Sequence, residues 1–186
     1  NYAISFIHKN GARELTFRMK KFNGDIPIEG KIILECPPDE SMVICTPWKE
    51  KDTAFYYNQK IVAMPATGEV HYGDCTYTFE QGKSFGLLDW GRGVWTYKNT
   101  WFWGAAQGTV KGNNLEGPSA DAKDHRFGWN IGYGFGDTSA ASENMLFFDG
   151  KAHKLNQVSF NIPQKDGKDD FMSPWTFSSD DGRFEM

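Results

Sequence analysis

Apolar and polar positions alternate with a period of two through most of this chain, and short Gly, Asn and Asp turns divide the alternating runs. Period two is the spacing of side chains on one face of a β-strand. Ile4 and Phe6 stand on one side of Asn10-Gly11, and Leu15 and Phe17 on the other. Asn-Gly favours a two-residue turn in which both central residues take positive φ. Folding about it sets Phe6 opposite Leu15 and Ile4 opposite Phe17. All four then share one face, while Ser5 and Thr16 share the other. The same construction about Gly73-Asp74 predicts Tyr72 opposite Cys75 and Val70 opposite Tyr77. A third hairpin is predicted about Asp149-Gly150, joining 144–148 to 151–155. Asn23-Gly24 and Asp181-Gly182 mark two more turns.

Other segments read as strands: 31–35, 42–46, 55–57, 60–64, 94–106, 128–135 and 158–162. Only 138–144 suggests one or two helical turns. The stretch 111–126 (KGNNLEGPSADAKDHR) is polar, with Gly, Pro and Asp, and is expected to be an exposed loop, either unstructured or a functional cover. Many short strands with polar turns predict an all-β, antiparallel fold, either a β-barrel or a strongly curved sandwich. The 186 residues fit a single domain, 1–186. The chain opens without Met in strand-like residues and ends just beyond a turn, so it reads as a piece of a longer polypeptide.

Composition narrows the function classes. Apolar residues make up 39% of the chain, a globular proportion. The net charge of −4 lacks the basic excess of a nucleic-acid binder. No run of 18 apolar residues is present, so no membrane-spanning helix is expected. Cys36, Cys45 and Cys75 form no C-x-x-C pair and read as buried free thiols of a cytoplasmic protein. His8, His71, His125 and His153 are widely spaced, so no metal site and no cofactor is expected.

The centre of the chain carries the candidate chemistry. Within 94–106, Trp95, Tyr97, Asn99, Trp101 and Trp103 fall on one face. Within 129–136, Asn130, Gly132 and Gly134 fall opposite Trp129, Ile131, Tyr133 and Phe135. A glycine face in a strand means a sharp coil or a large object packed against bare backbone. Such aromatic and glycine patterns also serve plain barrel packing. Asp89-Trp90-Gly91-Arg92-Gly93 reads as a loop in which Asp89 and Arg92 form a structural ion pair, or in which Asp89 acts as an acid. Asp137 and Glu143 are the other candidate acids. A carboxyl in apolar surroundings has its pKa raised, so it keeps its proton and can act as a general acid toward an alkene, and aromatic faces stabilise a developing cation. The candidate ligand-binding residues are thus Trp90, Arg92, Trp95, Tyr97, Asn99, Trp101, Trp103, Asn130, Gly132 and Gly134, and the candidate catalytic residues are Asp89, Asp137 and Glu143.

Five segments carry a family resemblance: SMVICTPW (41–48), AFYYNQK (54–60), FGLLDWGRGVWTYKNTWFWG (85–104), FGWNIGYGFGDTSAASENMLFFDGKAHKL (127–155) and WTFSSDDGRFEM (175–186). Together they closely resemble a bacterial domain-of-unknown-function family, number twenty-eight hundred and four. That family is distantly similar to the lipocalin-like double barrels of carotenoid hydratases, tocopherol cyclases and AttH-type proteins. The resemblance implies a lipocalin-like (calycin-type) barrel, the C-terminal half of a two-barrel protein whose partner is the N-terminal half of the same polypeptide. It also implies an apolar small molecule, a lipid or isoprenoid, as ligand. It assigns no catalytic acid. The 111–126 insert is longer than the short connection usual in the family, which would alter access if it covered a barrel mouth. Three functions compete: an apolar-ligand carrier, an acid-catalysed hydratase, isomerase or cyclase, and a carbohydrate-binding or carbohydrate-active domain. The last ranks third because it needs tryptophans exposed in loops, and the alternation places them on an inward strand face.

Overall fold

The structure, a computed structural model, describes residues 2–186. Fifteen strands run in chain order: β1 (Tyr2–Lys9), β2 (Ala12–Asn23), β3 (Ile26–Glu35), β4 (Met42–Pro47), β5 (Phe55–Tyr72), β6 (Cys75–Phe79), β7 (Phe85–Val94), β8 (Phe102–Lys111), β9 (Asp124–Tyr133), β10 (Met145–Phe148), β11 (Lys151–Lys154), β12 (Val158–Asn161), β13 (Gln164–Lys165), β14 (Lys168–Asp169) and β15 (Thr176–Ser179). Every pairing between them is antiparallel. No helix among the described residues is long and apolar enough to cross a membrane.

The hairpins keep the register set by their turns. Phe6 pairs with Leu15 and Ile4 with Phe17, and Asn10 and Gly11 both hold positive φ. Tyr72 pairs with Cys75 and Val70 with Tyr77. Phe148 pairs with Lys151 around Asp149 and Gly150, both again at positive φ. The hairpin β13–β14 was not expected, although Asp166-Gly167 at its tip carries the same turn chemistry.

β5 is the spine of the fold. Its C-terminal half lies between β3 and β6, and its N-terminal half between β4 and β7. Three separate strands were expected here, 55–57, 60–64 and 70–72, but one strand with a bulge runs through them all. The register slips between Ile61 and Met64, and Ala63 takes φ 62°. The backbone N–H freed there donates to Gln107 Oε1 at 2.7 Å, while Gln107 Nε2 donates to Phe85 O. That side chain replaces the lost ladder bonds and stabilises an unfavourable backbone region.

A second sheet, β11-β10-β9-β8, stacks on this one. Met42, Val62 and Ala63 of the first sheet meet Met145 and Phe147 of the second in one core cluster. Gly128 permits the approach, since a side chain there would run into Val62. The opposite face of β9, with Trp129 and Ile131, packs on Leu155, Val158 and Phe184. The pair β12–β15 forms that outer layer. The molecule is a layered antiparallel β structure, and among the described residues no sheet closes into a barrel.

Several local expectations are corrected. Residues 95–101 are not strand: β7 ends at Val94 and β8 begins at Phe102. Asn99 Nδ2 donates to Thr96 O, and Thr96 Oγ1 donates to Asn99 Oδ1, so local side-chain bonds close a turn where ladder bonds would run. Conversely, Asp89 to Gly93 belong to β7 and not to a loop. Residues 138–144 form no helix, because their polar groups bond across to other segments. The loop 111–126 is shorter than expected: Lys111 ends β8, residues 124–126 open β9, and Gly112 and His125 are buried. It lies at the opposite end of β8 from Trp103, roughly 27 Å along the strand. Cys36 is half-buried, but Cys45 and Cys75 are exposed, since their positions on β4 and at the Gly73-Asp74 turn face away from the core.

Candidate functional site

Alternation along β5 places Tyr56, Asn58, Lys60 and Val62 on the inner face. Across from them on β7 stand Asp89 and Gly91, with Asp89 opposite Lys60. Gly91 leaves room for the Tyr56 ring, which a side chain there would strike. Lys60 is 2% exposed, a rare place for an ammonium group. It is accounted for by its partners. Nζ lies 2.5 Å from Asp89 Oδ1, 3.4 Å from Glu143 Oε2, and 5.1 Å from the centroid of the Trp103 ring.

Glu143 reaches this point because its chain neighbours are tied down. Asn144 accepts the Gly132 N–H and donates to Asn156 O. Ser142 Oγ donates to Asn156 O, and Lys154 Nζ donates to Ser142 O, Ser142 Oγ and Asn144 O. Burial pushes the Lys154 pKa down to about 8, against the opposing charge of Glu143. The Glu143 side chain then lies on the bare backbone of Gly132, where an added Cβ would fall 2.3 Å from Oε1. Asn130, fully buried, donates to Glu143 Oε2 at 3.0 Å and accepts from Trp103 Nε1 at 2.9 Å. The object packed against the glycine face is therefore an acid.

Above this ionic floor stands an aromatic wall. Phe135 is its hub, with ring centroids 5.0 Å from Tyr56, 5.1 Å from Trp101, 5.3 Å from Trp48 and 5.9 Å from Trp95. Floor and wall enclose a cavity of about 480 Å³, which Tyr97 and Asn99 also line. Burial, then the charges of Asp89 and Glu143, push the Tyr56 hydroxyl up to about 12, so it stays protonated.

The structure brings Asp89, Glu143, Trp95, Tyr97, Asn99, Trp101 and Trp103 to this one cavity. Asn130 and Gly132 support it from below. Trp90 and Arg92 point to the other face of β7, where Trp90 packs edge-on to Tyr57 at 6.1 Å. Asp89 therefore pairs with Lys60, and the expected Asp89–Arg92 ion pair is corrected: the two residues are odd and even on one strand and face opposite ways. Gly134 and Asp137 line a separate, more polar cleft of about 570 Å³ beside Lys49 and Lys98. Asp137 is held below the usual carboxylate range, first by the Ser139 hydroxyl and then by Lys49. Trp95, Tyr97 and Trp101 sit in the 95–101 turn and are exposed, which removes the reason for ranking a carbohydrate ligand third.

Sequence reasoning missed Lys60, Tyr56 and Phe135. No alternation marks Lys60 in the sequence: 55–62 reads FYYNQKIV, Asn58 shares its face, and only the fold shows that this face is the buried one.

A family model described as a domain of unknown function (DUF2804) matches residues 1–186. The chain belongs to that family. No curated protein and no solved structure matches it. Membership of DUF2804 brings no activity with it, so the functional argument rests on the cavity itself.

Proposed function

We propose that this DUF2804 chain binds an apolar small molecule of lipid or isoprenoid type against the aromatic wall, with the polar end of that molecule over Lys60, Asp89 and Glu143. The observation that carries this reading is the cavity of about 480 Å³ walled by Trp95, Trp101, Trp103 and Phe135. Such a wall offers large rigid apolar area at little entropic cost, and a few polar groups fix orientation. The lipocalin-like relationship belongs to the same proposal, as does the role of this chain as one half of a two-barrel protein. The all-antiparallel pairing and the aromatic wall of the cavity support it.

A carbohydrate is the second reading. Exposed tryptophans in a turn beside two carboxylates favour it, since sugars stack on such rings and donate hydroxyls to acids. Acid catalysis on a bound alkene is a further step on the first reading, with Asp89 and Glu143 as its candidates.

Native mass spectrometry before and after solvent extraction tests the proposal, with tryptophan fluorescence followed in parallel. Binding predicts a co-purifying apolar molecule whose loss changes the emission, and a Trp101→Ala variant that retains less of it. A sugar retained in its place establishes the second reading. Ligand-free protein that takes up neither class ends both.

A further inference from the structure

The floor of the aromatic cavity is short of positive charge. Asp89 and Glu143 bring two carboxylates, and among the described residues Lys60 is the one cation lining the same space. Its ammonium is already committed to both acids. Glu143 Oε2 also accepts from Asn130 and its Oε1 lies against Gly132, whereas Asp89 Oδ2 accepts no hydrogen bond among the described residues.

Lys60 shows what this wall does with a cation. It lies over the face of Trp103, the arrangement in which a ring quadrupole attracts positive charge. Trp95 and Trp101 border the same cavity, and among the described residues no protein cation stands over either ring. At the same edge burial, and then the charges of Asp89 and Glu143, keep the Tyr56 hydroxyl protonated, so it adds no negative charge to the two acids.

The geometry points to a cationic head group on the ligand, an ammonium carried on an apolar body, seated beside Trp95 and Trp101 and over the free oxygen of Asp89, within the field of Glu143. This rests on the binding reading above and adds head-group chemistry to it. A carboxylate on the same body meets the two acids and is rejected. An alcohol satisfies the acceptors but draws nothing from the ring faces.

Three probes of one chain length separate the cases: dodecylammonium, dodecanol and dodecanoate. Each is titrated at neutral pH, below its aggregation concentration, against the full chain and against Asp89→Asn and Trp101→Ala. Calorimetry and tryptophan fluorescence report binding, and melting curves confirm that each variant is folded. Dodecylammonium is expected to bind about ten-fold more tightly than dodecanol, with dodecanoate weakest. Asp89→Asn should shrink the ammonium-to-alcohol ratio several-fold, and Trp101→Ala should weaken the ammonium as well. Dodecanol or dodecanoate matching the ammonium would overturn the head-group assignment while leaving apolar binding intact. So would an ammonium preference unchanged in both variants, which marks attraction to the acidic surface at large. Binding of none of the three overturns the apolar reading and the head group with it.

Discussion

Lys60 is the residue on which the site turns. Its ammonium stands between two carboxylates at 3% side-chain exposure. Lys60→Met would keep the volume and leave Asp89 and Glu143 facing each other without a counter-charge. Removing one partner of a buried ion pair typically costs 3–5 kcal/mol, and the half-exposed Asp89 moves the expectation to the low end, about 3 kcal/mol. Urea unfolding of the variant checks this. Gly132→Ala is the companion test. The new Cβ meets Oε1, Cδ and Cγ of Glu143, so the acid must leave its place over Asn130. A loss of about 1–3 kcal/mol is expected, together with weaker ligand binding, both read from melts with and without ligand. Neither residue's role was visible from composition. Gly132 was legible as a bare position, and Glu143 as an acid, but their contact spans eleven positions. It depends on Asn144 bonding the Gly132 N–H, which no periodicity encodes.

At the scale of elements, the turns were the most legible part of the chain. Asn10-Gly11 and Asp149-Gly150 demand positive φ at two successive residues, so they set register without help from the rest of the fold. The segment 95–101 was misread for a complementary reason. Its aromatic alternation is interrupted at Asn99, and Thr96 and Asn99 bond each other's side chains and backbone and release the chain from the sheet. The β8–β9 loop carries a testable pH response. His125 places Nδ1 2.6 Å from Asp149 and Nε2 3.1 Å from Asp121, and stacks on Phe148. The hydrogen bond to Asp149, with help from Asp121, raises the imidazole above its ordinary 6.5 despite opposing burial. A raised folded-state value means that the tie is fully present below 6.5 and is lost as pH rises through the folded value. Amide exchange in 112–123 should therefore climb with pH faster than the intrinsic rate, and His125→Gln should abolish the excess.

At the scale of the molecule, the first sheet separates its two faces cleanly. Ile4, Phe6, Phe17, Val70 and Tyr77 share one face, with Ser5, Thr16, Lys31, Glu69 and Thr76 on the other. Toward β4 the apolar face is covered by the cluster of Leu34, Met64 and Ala66. It is open at both outer edges: Phe6 on β1 is 75% exposed and Tyr77 on β6 55%. A contiguous apolar face of this kind binds hydrophobic dyes and promotes association. The isolated chain should bind such a dye, and Ile4→Lys with Phe6→Lys should reduce the signal while altering the unfolding free energy by no more than about 0.5 kcal/mol. The all-β class and antiparallel pairing were legible from alternation alone. The layer order was not, because β5 and β9 meet through Val62 and Gly128, and nothing in a period-two pattern says which apolar face meets which.

One consequence follows from the length of β5. Tyr56 and Lys60 of that strand line the aromatic cavity, and residues 66–72 carry part of the open apolar face. No hinge or linker separates them, only the Ala63 bulge braced by Gln107. The two regions are therefore expected to melt in one transition. If a molecule binds among the tryptophans, amide exchange at the far end of the same ribbon is expected to slow, and unchanged exchange there would show that the bulge uncouples the two ends.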